Sequence, residues 1–209
     1  IGMITQAMGD FDIDLNKSWL IGDKISDIQT AINSNIQNSI LIKSSYQKED
    51  DEEIASFTAN SLFDTINIEK NLYFDVLWPD SQKMISDNAI NNNSLVCKLN
   101  YNKFSMLFTG DIEEIAEKEI VSKYENNTSI LKSTILKTAH HGSKTSSDYN
   151  FLKFSNPKYS VISSGKDNRF GHPSEETLDS LDKLKLKYFN TAYDGSIKFS
   201  LEDGTYLLY

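Results

Sequence analysis

The sequence contains three histidines, and they fall in two places: His140 and His141 ahead of Gly142-Ser143, and His172 between Gly171 and Pro173. A neutral imidazole ligates borderline metals and exchanges protons near neutral pH. Asp111 belongs with them. It follows the apolar run Phe104 to Phe108 through Thr109-Gly110, which puts a carboxylate at a strand end and at the start of the next helix, beside a glycine that admits close approach of backbone or metal. Ile135 to Ala139 delivers His140 and His141 in the same way, a strand running into a tight polar loop. One aspartate and histidines on successive strand-end loops is how zinc or manganese is held. Asp111, His140 and His141 are therefore candidate metal ligands, and together with His172 they are the candidate catalytic set. Each also has a plainer reading. Asp111 could serve as a helix N-cap, His141 could hydrogen-bond so as to orient His140, and His172 could be a surface histidine fixed by Pro173. Three imidazoles also set a ceiling, because a two-metal site built mainly from histidine would be incomplete.

A second pair of carboxylates stands near the beginning. Asp23 directly follows the run Trp19-Leu20-Ile21-Gly22, and Asp27 comes one helical turn later. A carboxylate at the end of a parallel strand points into the crevice where open α/β sheets bind ligands. With Asp27 it could share magnesium, which prefers hard oxygen donors. The alternative is that Ser26 and Asp27 simply favour the first turn of a helix.

The elements that position these residues form an α/β chain. Met3 to Asp10 reads as a helix, Ser18 to Ile21 as a short buried strand, Asp27 to Ser34 as a helix with Ile28, Ala31 and Ile32 on one face, and Ser39 to Ile42 as a strand of the parallel type. The acidic run Lys48 to Glu53 reads as solvated surface, and Leu62 to Ile68 as a closing helix. The texture changes near Asn71. Leu72 to Trp78 is rich in aromatic and β-branched residues and stops at Pro79; Asp80 to Asn93 has no period and reads as a loop. Strands follow at Leu95 to Leu99 and Phe104 to Phe108, with a turn at Asn100 to Asn102 between them. A helix from Ile112 to about Lys123 sets Ile112, Ile115, Ala116 and Ile120 inward, with Glu113, Glu114 and Glu117 in water. Further strands are expected at Thr134 to Thr138, Tyr159 to Ser163, Tyr188 to Thr191 and Ser196 to Leu201, and a helix from Glu175 to Leu184. Tyr188, Tyr193 and Tyr206 read as core or strand-face packing, and Cys97 as a buried small hydrophobe. Ser143, Ser146 and Ser147 could contact a phosphate or bond within their loop.

Composition narrows the function. Of 209 residues, 21 are Lys or Arg and 30 are Asp or Glu, a net charge of -9, which argues against gripping nucleic acid through a general positive field. A single cysteine, Cys97, excludes an intrachain disulfide and a cysteine-rich zinc module. No apolar run approaches the roughly 20 residues of a membrane span. Opening on Ile1-Gly2-Met3 without a basic or apolar leader, the sequence reads as beginning inside a protein.

Two resemblances sharpen this. Gly2-Met3, Phe11-Asp12-Ile13-Asp14-Leu15, Ser18, Ile21-Gly22-Asp23-Lys24 and Ser26-Asp27-Ile28 resemble the C-terminal part of a haloacid-dehalogenase-type phosphatase, of the histidinol-phosphate and heptose-bisphosphate branch. The resemblance implies that Asp23 and Asp27 help bind magnesium. The nucleophilic D-x-D that such an enzyme uses to form an aspartyl phosphate has no equivalent here, because Asp12-Ile13-Asp14 follows no apolar strand and reads as a turn.

The second covers about residues 72–209. Leu77-Trp78-Pro79, Asn92-Asn93-Ser94-Leu95-Val96, Leu107 to Glu113, Leu136 to Ser143, Ser146-Ser147, Pro157, Asn168-Arg169-Phe170-Gly171-His172-Pro173 and Thr191 to Gly195 resemble the metallo-β-lactamase-fold domain of ComEC-type DNA-uptake proteins. In the intact fold a metal-bound hydroxide attacks a phosphodiester or ester. The resemblance implies that Asp111 bridges metals, that His140 or His141 is a terminal ligand, and that His172 lies near the metal or orients substrate. The H-x-H-x-D-H motif of the fold's first half is missing. The expected architecture is therefore α/β, a Rossmann-like βα fragment over residues 1–70 followed by half of a metallo-β-lactamase αββα sandwich over 71–209.

The leading expectation is a catalytically incomplete metal-dependent hydrolase. Zinc or manganese would sit at Asp111 and His140, magnesium at Asp23 and Asp27, and the substrate would be nucleic acid or another phosphoester. The alternatives are a magnesium-dependent sugar-phosphate phosphatase fragment and a non-catalytic chimeric fragment. A free-standing chain would be a soluble cytoplasmic domain, and the resemblance leaves a membrane-associated parent protein open.

Overall fold

The structure, a computed structural model, describes residues 2–22, 24–42, 55–59, 65–80, 83–202 and 205–208. The chain divides into two compact units, residues 1–64 and 65–209. The first contains α1 (Gly2–Asp10), β1 (Trp19–Gly22), α2 (Ile25–Asn33), β2 (Asn38–Ile42) and β3 (Phe57–Ala59). Its three strands lie parallel in the order β1-β2-β3. Ile40, Leu41 and Ile42 are fully buried, as expected of a parallel strand covered on both faces. Ile28 and Ala31 of α2 are also buried.

The second unit runs β4 (Thr65–Glu69), β5 (Leu72–Trp78), α3 (Ala89–Asn92), β6 (Val96–Tyr101), β7 (Phe104–Phe108), α4 (Glu114–Tyr124), β8 (Ile135–Lys137), α5 (Tyr149–Ser155), β9 (Tyr159–Ile162), α6 (Glu175–Lys183), β10 (Lys187–Asn190), α7 (Thr191–Asp194), β11 (Phe199–Glu202) and β12 (Thr205–Leu208). Seven strands form one sheet in the order β10-β9-β8-β7-β6-β5-β4, and β11 pairs with β12 as a separate antiparallel hairpin. Strands β4 to β7 are antiparallel and β7 to β10 parallel. Two-residue turns make two of the three antiparallel connections, β4 to β5 and β6 to β7. Asn71 and Asn102 hold left-handed conformations, φ 66° and 53°, which asparagine tolerates and tight hairpins require. Helical crossovers through α4, α5 and α6 make the parallel half.

Those helices supply the core on one face of the sheet. Ile112, Ala116, Ile120, Phe151, Leu152 and Leu181 pack with Leu107, Leu136 and Ile162. Trp78, 1% exposed, donates its indole N–H to the Asn92 carbonyl at 2.7 Å. The strand register puts Phe74, Met106, Phe108, Val161 and Phe189 on the opposite face, where they are half-buried.

The α/β reading of the sequence is borne out; several local expectations are not. Residues 65–68, expected in a helix, are strand β4, because half-buried Ile66 and Ile68 alternate with exposed Thr65 and Asn67, and Thr65 to Asn67 pair against β5. Residues 62–64 and the acidic run 48–53 lie outside the described residues. The loop after Pro79 contains the short helix α3, and β6 continues to Tyr101, leaving the turn to Asn102 and Lys103. Ile32 and Ile115, expected inward, are 47% and 42% exposed. Glu117, expected in water, is fully buried, and Glu113 is mostly covered. Tyr193, expected in packing, stands 81% exposed on α7. Strand β11 begins only at Phe199.

Candidate functional site

Three neighbouring parallel strands, β7, β8 and β9, deliver the site at their carboxyl ends. Thr109, fully buried, donates its hydroxyl to the Lys137 carbonyl at 2.7 Å and so ties the end of β7 to the end of β8. Gly110 follows with φ +55°, and a Cβ there would stand 2.8 Å from the Cβ of Ser94. The close approach anticipated at this glycine is thus to backbone and side chain of the β6 lead-in. The His140 N–H donates to the Gly110 carbonyl at 3.1 Å, stitching the aspartate loop to the histidine loop. Asp111 is not an N-cap, since α4 begins at Glu114 behind Glu113.

His140 and His141 both adopt positive φ, 45° and 57°, and these consecutive left-handed residues send the two rings in different directions. His141 Nδ1 lies 2.7 Å from the Ser163 carbonyl at the end of β9. A carbonyl only accepts, so this bond assigns the proton to Nδ1. Nε2 then faces the Asp111 carboxylate, Oδ1 at 3.4 Å. That spacing is about the edge of a tetrahedron with metal–ligand bonds of roughly 2.0–2.2 Å, and a lone pair facing a carboxylate calls for a proton or a cation between them. His140 turns the other way. Its Nδ1 approaches Glu113 Oε1 at 3.4 Å, and its ring lies edge-on to His172 with centroids 5.8 Å apart. The Nδ1 atoms of both His140 and His172 are shielded from solvent without a hydrogen-bond partner. The structure therefore gathers Asp111, His140, His141 and His172, and pairs His141 with Asp111. Burial holds the His172 ring below the ordinary histidine pKa, helped by the nearby His140 and His141 and opposed by Asp111.

Two further groups belong to the site. Lys137 closes β8 with Nζ 3.4 Å from the Gly110 carbonyl and 3.3 Å from that of Thr138. Burial lowers its pKa, with Asp111 pulling the other way. A lysine ending an apolar strand was the available signal. Glu117, on α4, accepts the backbone N–H groups of Ser147 and Asp148 at 2.9 and 2.7 Å. Burial pushes its carboxyl up to about 8 despite those donors, and the nearby charges of Asp148 and Glu114 add to the rise. Its signal, the i,i+4 spacing from Glu113, pointed as readily to water.

The loop from Gly142 to Asp148 is built by its own hydroxyls. Ser143 Oγ pairs with Thr145 Oγ1 at 3.0 Å, and Ser146 Oγ donates to the carbonyls of Ala139 and Ser143. Ser143, Ser146 and Ser147 are buried; the first two hydroxyls bond within the loop, whereas that of Ser147 has no partner among the described residues. Gly142, at φ +80°, would carry a Cβ 2.7 Å from that of Pro173; the absent side chain lets the His172 loop close onto the His140 loop. Beyond His172 opens a cleft of 580 Å³, whose lining includes Lys166, Asn168, Gly171, His172, Asn190 and Tyr193.

In the first unit, Asp23 lies outside the described residues. Asp27 Oδ2 accepts the Lys24 N–H at 3.1 Å in the first turn of α2. Among the described residues, no three His, Cys, Asp or Glu side chains are grouped so as to hold a metal. Asp111 and His141 fit a divalent cation as two donors, without completing its coordination. Cys97 is buried, and burial pushes its thiol up to about 12, so it offers no thiolate. No helix among the described residues is long and apolar enough to cross a membrane.

Known proteins match the chain in two ways. A family model described as HAD-hydrolase-like matches residues 1–67. The chain is 34% identical over 142 residues to ComE operon protein 3 of Bacillus subtilis, covering 67% of this chain and 17% of that protein. It is 35% identical over 131 residues to the competence protein ComA of Neisseria gonorrhoeae, 63% of this chain and 18% of the relative. These matches are longer than the first unit, so more than half of each falls in the second. The D-glycero-beta-D-manno-heptose-1,7-bisphosphate 7-phosphatase of Yersinia pestis is 36% identical over 64 residues, 30% of this chain and 34% of the enzyme. The chain thus spans about a sixth of the length of the two competence proteins and about a third of the phosphatase.

Proposed function

We propose that residues 65–209 carry part of a metal-dependent hydrolase site of the metallo-β-lactamase fold, ComEC-like, acting on a phosphodiester, and that the first unit is a haloacid-dehalogenase-like segment. The observation that carries the reading is the His141–Asp111 pair, with a lone pair held toward a carboxylate at 3.4 Å by the Nδ1 bond to Ser163. Asp111 and His141 would hold the cation, zinc or manganese, and the cation would supply charge stabilisation at a phosphoryl oxygen. His172 stands beside the pair, its ring held below the ordinary histidine pKa by burial. Lys137 sets a second positive charge behind Asp111. The similarity to two competence proteins supports this assignment, as does a mixed sheet with helices on one face and half-buried aromatics on the other, the surface a second layer of a sandwich would cover. Two donors do not make a catalytic sphere, so the reading requires further ligands from another segment.

Equilibrium dialysis of the chain against zinc and manganese tests it. Binding at micromolar metal, abolished by Asp111→Ala and accompanied by slow or no turnover of a bis-aryl phosphodiester, is the expected result. Retention of neither ion, or binding indifferent to Asp111→Ala, would leave a non-catalytic fragment. The family-model match favours a second reading for the first unit, magnesium held by Asp23 and Asp27 as in a phosphatase. Magnesium binding lost in Asp23→Ala supports it, and binding unchanged in that variant rejects it.

A further inference from the structure

We infer that Glu117 is a proton-operated latch on the loop from Gly142 to Asp148, holding it in the position from which Thr145 sets Glu113 against His140. The inference concerns regulation of the site proposed above and rests on that reading in treating the histidine turn as functional. Glu117 is fully buried on α4. Its Oε1 accepts the Ser147 N–H at 2.9 Å and its Oε2 the Asp148 N–H at 2.7 Å. Ser147 holds φ +68°, and a left-handed residue turns successive N–H groups to one side, where they cradle an anion. Here the anion is the protein's own carboxylate. A proton on either oxygen turns that acceptor into a donor, weakens one of the two bonds and adds an O–H that needs an acceptor. The Ser147 hydroxyl, shielded from solvent and without a partner among the described residues, offers an unused one in the same turn.

The loop carries the change to the histidines. Thr145 donates its hydroxyl to Glu113 Oε1 at 2.9 Å, and its carbonyl accepts the Glu114 N–H at 2.8 Å. Glu113 Oε1 is also the atom 3.4 Å from His140 Nδ1, a ring nitrogen shielded from solvent without a hydrogen-bond partner. One oxygen therefore faces the loop and the imidazole together, and a shift of the loop changes what it offers His140. The start of the loop is tied to the histidine turn itself, by the Ser143 N–H on the His140 carbonyl at 2.9 Å and by Ser146 Oγ on that of Ala139 at 3.1 Å. The hold at Ser147 and Asp148 is the one that a proton on a buried group loosens. The charges acting on Glu117 are Asp148, at the end of the loop, and Glu114, on its own helix; both are acidic. Lys153 of α5 and Glu125 beyond α4 are exposed. Burial works against the two N–H donors and with those two charges, and brings the carboxyl up to about 8. Above that pH the latch is closed, and below it the loop is loosened.

The test is a pH titration of the full chain by NMR, in EDTA, between about pH 6 and 10. It follows the Glu117 Cδ, the Ser147 and Asp148 amides and the His140 ring nitrogens. No metal enters, so the latch is read whether or not the cation reading holds. The expected result is one step near about pH 8 shared by all of these signals. Glu117→Gln should abolish that step throughout. Thr145→Val, at an exposed position, should keep the step at the two amides and delete it at His140, a separation that a merely structural role for Glu117 would not produce. A Glu117 Cδ midpoint in the ordinary carboxylate range, amides of Ser147 and Asp148 that stay flat, an amide step that survives in Glu117→Gln, or a His140 step that is missing in the wild type or survives in Thr145→Val would each overturn the inference. The Cδ titration is read in the wild-type chain, so it decides the matter even where Glu117→Gln fails to fold.

Discussion

Glu117 is a carboxylate with no exposure, facing two backbone N–H groups from the loop that follows the histidines. Burial disfavours its charge more than the two donors favour it, and the carboxyl moves from 4.5 up to about 8. The folded state therefore binds a proton that the unfolded chain has released between those values. Stability from this group is full below about 4.5 and is lost as pH rises to about 8. Urea midpoints of the wild-type chain should fall across that window, and Glu117→Gln should flatten the fall; an equal slope in both would place the effect elsewhere. Gly142 makes a second prediction at this scale. Alanine there combines φ +80° with a Cβ 2.7 Å from Pro173, so Gly142→Ala should lower unfolding stability by about 1–3 kcal/mol. A midpoint within error of wild type would show that the two loops part easily.

At the level of elements, the strands were readable wherever side chains alternated or apolar residues ran together, as in Ser39 to Ile42, Leu72 to Trp78 and Phe104 to Phe108. Residues 65–68 misled because a short apolar segment fits both periods, and the pairing with β5 that decides the matter is a tertiary fact. Glu117 was misplaced for a related reason. The helix buries one edge against α5 and the 143–148 loop, and a carboxylate can sit there once two N–H groups meet it. Helix α5 escaped the sequence reading, although Asp148 is its N-cap, accepting from Asn150 and Phe151 at 2.9 and 3.2 Å. Asp148→Ala should cost about 1 kcal/mol, read as a small shift of the urea midpoint. Since Asp148 also donates its N–H to Glu117, a much larger loss would mean that the cap and the buried carboxylate form one cooperative unit.

Across the whole molecule, the sequence showed which residues converge but not how they face one another. Asp111, His140 and His141 were legible because each follows an apolar strand, and parallel strands bring their carboxyl ends together; His172 was legible only as the third histidine, in a loop ahead of a helix. Which histidine meets Asp111 was not legible. That depends on two successive left-handed residues and on the Ser163 carbonyl, a partner 22 positions away. Lys137 acquires meaning only from the loop that folds beside it. The central claim is that the His141–Asp111 pair holds a divalent cation, and nitrogen-15 NMR of the three imidazoles during a zinc titration addresses it most directly. The account predicts a shift at His141 Nε2, with Nδ1 protonated throughout, and loss of that shift in Asp111→Ala. Zinc that leaves His141 unmoved, or that perturbs His140 alone, would contradict it.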